Sequence, residues 1–273
     1  MLAPIVSVDW LVENRHCVSL CDVRYYLDGR SGIEAFQKAR IPGARFIDMN
    51  RALAAPPAPI HGRHPLPTPT LFAEQLGLAG ISDSDTVIAY DDVGGRFAAR
   101  LVWMLRVIGQ NAALLSGGLA AWPSQLETGQ PTCPTPVQRS VRPWPESELV
   151  SADQLVEAIE NGTSVFDSRA AERYRGEIEP LDAQAGHIPG AKNLPMDGNY
   201  DGHNFLPPDQ LRARFEAAGV TEDSIFYCGS GVTACNNILA AEAAGYSRPR
   251  LYVGSWSGWS SDPTRPVATG DQP

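Results

Sequence analysis

Ser224-Ile225-Phe226-Tyr227-Cys228-Gly229-Ser230-Gly231-Val232-Thr233-Ala234-Cys235 is the stretch on which the reading of this chain turns. Ser224 to Tyr227 is a short apolar run of the kind that forms a buried strand. Ala234 to Ala244 is an alanine-rich helix former, and Gly245 stands where a glycine closes a helix. A cysteine therefore sits at the carboxyl end of a strand, in a glycine-containing loop that runs into a helix N-terminus. Open α/β sheets bind ligands at this place. Glycines let successive N–H groups turn inward as an anion nest, and the helix dipole adds positive potential. Negative charge on sulfur is favoured there, and the thiolate is the reactive form of cysteine. Cys228 is the candidate nucleophile. Gly229, Ser230, Gly231, Val232 and Thr233 are the candidate contacts for bound negative charge.

The chain also repeats itself. Leu20-Cys21-Asp22-Val23-Arg24 stands in for Val165-Phe166-Asp167-Ser168-Arg169, and Arg40-Ile41-Pro42-Gly43-Ala44 for His187-Ile188-Pro189-Gly190-Ala191. Thr86 to Asp91 matches Asp223 to Cys228, and Gly117 to Trp122 matches Gly254 to Trp259. The offset is 137 residues at Asp91/Cys228 and at Trp122/Trp259, and 147 at Ile41/Ile188. Four blocks in one order make two copies of one unit. Within each copy short β-branched runs alternate with helical stretches. Val87 to Tyr90 reads as a strand and Phe97 to Ile108 as a helix, apolar nearly all round and so buried. Leu71 to Leu78 and Leu211 to Ala218 read as amphipathic helices with Pro69 and Pro208 near their first turns. This alternation implies an α/β fold, with a parallel sheet in each copy flanked by helices on both faces. Expected boundaries are a noncatalytic domain over 1–128, a proline-rich linker over 129–147 and a catalytic domain over 148–273. The long loop with Pro56-Pro57-Ala58-Pro59 and Arg63-His64-Pro65 lies in the first copy, and loops of that length are often functional.

The 273 residues are enough for two domains, and the net charge of −9 argues against nucleic acid or an anionic membrane as partner. No apolar run is long enough to span a bilayer, and Met1 to Pro4 lacks the features of a signal peptide. Five cysteines without regular spacing suggest a reducing, cytoplasmic setting and no zinc site. Neither a metal nor an organic cofactor is expected.

These residues resemble the tandem rhodanese family of sulfurtransferases over nearly the whole chain. The most specific stretch is Asp167-Ser168-Arg169, Glu172-Arg173-Tyr174-Arg175-Gly176-Glu177, Gly186 to Ala191 and the Cys228 loop. The resemblance implies two rhodanese-like domains, the second carrying the cysteine and the first, with Asp91 in its place, lacking it. It implies transfer of a sulfane sulfur to Cys228 as a persulfide, then to a thiol or cyanide acceptor, with a thioredoxin-like reductant as a further candidate partner. Loops of the thiosulfate type carry basic residues after the cysteine. Here Gly229 and Ser230 are uncharged, and Cys-Gly-Ser-Gly-Val-Thr is similar to the 3-mercaptopyruvate type. A neutral loop of N–H groups and hydroxyls suits a monoanion with a polarised carbonyl. The alternatives are a thiosulfate sulfurtransferase and a sulfur-relay protein. A phosphatase of this fold would need arginine at the sixth position after the cysteine, which is Ala234.

By the same resemblance Arg173 is a donor-binding residue, its guanidinium able to grip a carboxylate at two points. Two positions depart from the family. Leu181 follows Glu179-Pro180 where the mercaptopyruvate type often has a second arginine, and Arg40 precedes the first Ile-Pro-Gly turn where histidine is common. Both count against a serine–histidine–aspartate relay. Asp167 and Arg169 read as a turn clamp and His187 as a hydrogen-bonder of its turn. Cys17, Cys21 and Cys235 read as packed inward, Cys133 as exposed, and Trp256 and Trp259 as core aromatics.

Overall fold

The computed structural model describes residues 1–273. The chain divides into two compact units. Unit 1 comprises Met1–Ala55, Pro67–Trp144 and Gly202–Phe205; unit 2 comprises Pro56–Leu66, Pro145–Asp201 and Leu206–Pro273. Unit 1 holds the strands β1 (Ile5–Val6), β2 (Val18–Asp22), β3 (Arg45–Phe46), β4 (Thr86–Tyr90) and β5 (Ala112–Leu115), in the sheet order β1-β5-β4-β2-β3. Unit 2 holds β6 (Leu149–Val150), β7 (Val165–Asp167), β8 (Lys192–Asn193), β9 (Ile225–Tyr227) and β10 (Arg250–Tyr252), in the order β6-β10-β9-β7-β8. Every pairing within these two five-stranded sheets is parallel. The two sheets have the same topology, so the sequence repeat is a repeat of structure. No helix is long and apolar enough to cross a membrane.

The central strands are apolar without alternation because helices cover both faces. Val87 to Tyr90 and Ile225 to Tyr227 are all buried. Phe166 and Phe226 face each other in register and stack at 5.3 Å between ring centroids. The helix expected over 97–108 runs Ala98–Val107, with every residue from Ala98 to Arg106 buried. The helix after Cys228 runs Ala234–Ala243, buried from Ala234 to Ala241. Pro69 and Pro208 open the helices Pro69–Leu78 and Pro208–Ala218, as the fixed proline φ favours.

The repeat extends to single hydrogen bonds. Each Ile-Pro-Gly turn hangs on the tyrosine that ends the central strand. The Ile41 N–H donates to the Tyr90 hydroxyl at 3.1 Å, and the Ile188 N–H to the Tyr227 hydroxyl at 3.2 Å. Each Asp-x-Arg turn closes on its own ion pair, Arg24 on Asp22 at 2.8 Å and Arg169 on Asp167 at 2.6 Å, all four side chains buried. Arg24 also donates to the Ala39 carbonyl and Arg169 to the Gly186 carbonyl. Removing one partner of such a pair leaves a buried charge and costs about 3–5 kcal/mol. Asp167 and Arg169 thus make the turn clamp that their spacing suggested.

Residues 129–144 have no regular secondary structure and lie along unit 1. The Val137 N–H donates to the Gly77 carbonyl, Arg139 to the Ile81 and Ser82 carbonyls, and Trp144 to the Pro67 carbonyl. Pro56–Leu66, early in the chain, belongs to unit 2. Cys17 is exposed rather than packed inward, because it ends a short helical turn ahead of β2 instead of lying in the strand. Cys21, inside β2, is buried, and burial pushes its thiol up to about 12. Cys133 is exposed, and Cys235 packs inward with its thiol donating to the Gly231 carbonyl at 3.4 Å.

Candidate active site

Unit 1 shows what the loop after the central strand can hold. Both oxygens of the buried Asp91 carboxylate accept backbone N–H groups. Oδ1 takes those of Val93 at 2.9 Å and Gly95 at 2.7 Å; Oδ2 takes those of Phe97 at 2.9 Å and Ala98 at 3.0 Å. Burial is the largest effect and holds the carboxyl above the ordinary carboxylate range, while the four N–H donors pull the other way. Four donors converging on two oxygens make the loop a cradle for an acceptor, and they stabilise its charged form.

Cys228 occupies the matching position in unit 2. The N–H groups matching those of Val93, Gly95 and Phe97 belong to Ser230, Val232 and Ala234. All three residues are buried, and none of these N–H groups meets an acceptor in the chain. The fourth, on Cys235, donates to the Val232 carbonyl at 3.2 Å. Buried N–H groups without partners are rare, because each forfeits the hydrogen bond that water would give it. The Gly229 carbonyl accepts from Ser257, and Thr233 ends the loop as the residue before the helix. Gly231 takes φ +74° with the Val253 carbonyl 2.5 Å from where a β-carbon would stand, so the turn admits only glycine.

The strand end is fixed from the other side by residues 252–257. The Cys228 carbonyl accepts from the Trp256 N–H at 2.9 Å, as the Asp91 carbonyl accepts from Leu119. Ser255 is the one residue other than glycine with positive φ, at 52°. Its hydroxyl accepts the Cys228 N–H at 3.2 Å and donates to the Tyr252 carbonyl at 2.9 Å. The matching residue in unit 1 is Gly118, with nearly the same φ of +54°. Unit 2 therefore holds a serine in a left-handed conformation that disfavours side chains, and that serine anchors the cysteine. Cys228 itself is 1% exposed.

Charge reaches this loop from two stretches outside it. A methyl group placed on Gly229 would lie 3.0 Å from Arg63 Nη2, and 3.4 and 3.6 Å from Arg173 Nη1 and Nη2. Arg173 is brought there, as expected, but it already grips Glu179 through Nη2, at 2.6 and 2.8 Å. Arg63 grips Asp182, Nε to Oδ1 at 2.9 Å and Nη2 to Oδ2 at 3.2 Å. His64, 7% exposed, stands with Nδ1 2.8 Å from the Ser230 hydroxyl. A histidine does therefore stand behind the loop serine. It comes from the Pro56–Leu66 segment and not from the Ile-Pro-Gly turn. Arg40 is buried in unit 1 and committed to Glu127 and to the Gly129 and Phe36 carbonyls. His187 stacks on Tyr174, and its two ring nitrogens face the carbonyls of Tyr174 and Gln272, a purely structural setting. Trp256 and Trp259 are buried, their indole N–H groups donating to Gln184 and Pro266. No cluster of His, Cys, Asp or Glu could hold a metal ion.

The sequence reading singled out the loop of Arg63 and His64 without placing it at this site, and it missed Ser255. Their signals were the long proline-rich loop and the Gly118/Ser255 mismatch in the repeat. The site brings together a buried thiol at the strand end, a loop with three unpaired N–H groups, a hydroxyl–imidazole pair and, over Gly229, two guanidinium groups.

A model of the rhodanese-like domain matches residues 7–125 and again 151–262. The chain is 43% identical over 273 aligned residues to a probable 3-mercaptopyruvate sulfurtransferase of Pseudomonas aeruginosa, with 92% of each chain covered. It is 37% identical to a putative thiosulfate sulfurtransferase of Mycobacterium tuberculosis, covering 93% of this chain and 91% of that one. The crystal structure of an Escherichia coli protein described among the 3-mercaptopyruvate sulfotransferases superposes with a TM-score of 0.80 at 31% identity, over 93% of this chain and 99% of that one.

Proposed function

The chain belongs to the rhodanese-like family, and on that premise we propose that it is a sulfurtransferase that takes sulfur from 3-mercaptopyruvate onto Cys228. The Cys228 thiolate attacks the thiol sulfur of the donor. The new S–S bond forms as the donor C–S bond breaks, and the electron pair leaves on carbon as the enolate of pyruvate. A proton added at that carbon completes pyruvate, and the transferred sulfur stays as the outer atom of a persulfide. A thiolate or cyanide then attacks that outer sulfur and regenerates the Cys228 thiolate. A small thiol or a thioredoxin-like reductant of the cytoplasm would serve as acceptor.

The chain's residues divide this work. The N–H groups of Ser230, Val232 and Ala234 hold the negative charge of the thiolate and then of the persulfide. The Ser230 hydroxyl, backed by His64 Nδ1, is placed to pass a proton to the departing carbanion. Arg173 keeps its Nη1 amino group without a partner in the chain and turns it toward the donor carboxylate. Gly229, Gly231 and Thr233 shape the loop that carries these groups.

The observation that carries this reading is the pair of matched loops. In unit 1 the N–H groups surround a carboxylate; in unit 2 the same position holds a cysteine and the donors stand unpaired. The test is intact mass after treatment with 3-mercaptopyruvate. One sulfur atom should add to the chain, map to Cys228 and be absent from Cys228→Ser. Uptake by Cys228→Ser, or mapping to Cys235, would refute the assignment. Thiosulfate is the second reading, carried by the kinship with a putative thiosulfate sulfurtransferase, and the ratio of kcat/KM for the two donors decides between them.

A further inference from the structure

Unit 1 contains a cleft of about 450 Å³ that the chemistry at Cys228 does not use. It lies beside β3, the edge strand of its sheet. Its floor is apolar, with Phe36, Ile47 and Ala52 all buried. Its rim carries Ile33 and Leu78, two large aliphatic side chains that stay exposed. Apolar surface gathered around one opening, at this volume, is the ordinary make-up of a small-molecule cleft.

The roof of the cleft is a strap of chain. The Gly129 N–H donates to the Gln37 carbonyl at 2.7 Å, and the Gly129 carbonyl accepts from Arg40. The next backbone tether is the Val137 N–H, which donates to the Gly77 carbonyl at 2.9 Å. Between them Pro131 to Pro136 makes no hydrogen bond, and its three prolines have no N–H to offer. Gly80 lets the strap lie close, since a β-carbon there would stand 2.9 Å from Pro134 Cβ and 3.0 Å from the Thr135 carbonyl oxygen. The strap is thus fixed at its ends and unbonded where it crosses the opening. Cys133 lines the cleft from the strap and keeps its thiol exposed.

The polar groups of the cleft leave positive charge to spare. Arg45 and Arg51 stand against one acid, Asp48. Asp48 is engaged as a helix cap, accepting the Asn50 and Arg51 N–H groups at 2.8 and 3.0 Å. Arg45 is held by the Ser19 hydroxyl at 2.9 Å and faces Asp85 at 3.7 Å. The guanidinium of Arg51 and the amide of Gln75 have no partner in the chain. In a chain of net charge −9, this is an apolar cleft with a cationic edge. A cation would be repelled there, and a small polar acid would leave the apolar walls uncovered. An apolar body bearing one negative charge satisfies both the walls and the edge.

We propose that this cleft binds a small amphipathic monoanion, a carboxylate on an aliphatic or aromatic body. Arg51 and Gln75 meet the carboxylate, Phe36, Ile47 and Leu78 cover the body, and the strap closes over it. The site is independent of the role given to Cys228.

The test uses decanoate as probe and Cys133 as reporter. Iodoacetamide alkylation is followed peptide by peptide on the full chain, with Cys17, exposed and outside the cleft, as control. Decanoate should slow alkylation of Cys133 in a saturable way and leave Cys17 unchanged. 1-Decanol should protect more weakly and decylammonium not at all. Arg51→Glu, at an exposed position, should weaken the half-saturating decanoate concentration by roughly fivefold or more, the scale of an exposed ion pair turned into a like-charge pair. Ala79→Trp, which fills the mouth of the cleft, should abolish protection with Arg51 still in place. No slowing at Cys133, or equal slowing at Cys17, would overturn the site. Equal protection by all three decyl compounds, or full affinity in Arg51→Glu, would overturn the assignment of a monoanion.

Discussion

Asp91→Asn is the sharpest physical test of the nest on which the proposed chemistry depends. The substitution keeps the size and shape of the side chain. It replaces one carboxylate oxygen by an NH2 group. Each oxygen now accepts two backbone N–H groups, so whichever way the amide turns, two donors lose their acceptor and face another donor. Hydrogen bonds to a charged group contribute about 1.5–3 kcal/mol each, so the loss is about 3–6 kcal/mol. A domain is stable by only about 5–15 kcal/mol, so unit 1 should become marginal. Urea denaturation read by the whole chain would show an early transition. Amide hydrogen exchange resolved by mass spectrometry would place it, with protection lost at Val93, Gly95, Phe97 and Ala98 first. A shift below about 1 kcal/mol, with exchange at those four amides unchanged, would refute the reasoning. The loop would then not be organised around an anion, and the corresponding claim for the Cys228 loop would fall with it.

Two further outcomes follow from the same geometry. Ser255→Ala keeps the left-handed backbone but strands the buried Cys228 N–H, and should cost about 1–3 kcal/mol by thermal or urea unfolding; Ser255→Gly should cost about 1 kcal/mol less than the alanine variant, because glycine accepts that conformation without strain. His64→Gln should lower steady-state pyruvate release by about 10²- to 10⁴-fold, the range for a lost proton-transfer group, while sulfur still loads onto Cys228 on long incubation; an unchanged rate would remove the imidazole from the chemistry.

Much of the architecture was legible because it rests on local rules. Apolar runs such as Val87 to Tyr90, helix-opening prolines at Pro69 and Pro208, and four blocks repeated in one order gave the paired parallel sheets. Cys228 was legible because one short segment holds strand, loop and helix together. Arg63 and His64 were not, because Pro56–Leu66 belongs to the first copy in sequence and to unit 2 in space, and nothing local to the segment states where it packs. Charge at the loop was misjudged for the same reason. Gly229 and Ser230 carry none, yet Arg63 and Arg173 stand over Gly229 from elsewhere in the chain. Arg40 had the charge but not the position, since Glu127 and the Gly129 carbonyl hold it in unit 1.

The two units make the cost of the site visible, because each is a control for the other. Unit 1 closes its nest with its own carboxylate and uses Gly118 where the backbone turns left-handed. Unit 2, on the same sheet order, leaves the N–H groups of Ser230, Val232 and Ala234 unpaired and forces Ser255 into that conformation. A buried unpaired donor costs about 1–3 kcal/mol, and a left-handed residue other than glycine about 1–2 kcal/mol. The sequence changes that would remove these costs are already present in the first copy, at positions 91 and 118. Stability alone would favour them in the second copy too. On the proposed reading their absence has a use: the three donors stay free until sulfur carries the negative charge, and the strand end is anchored by a hydroxyl that glycine cannot supply.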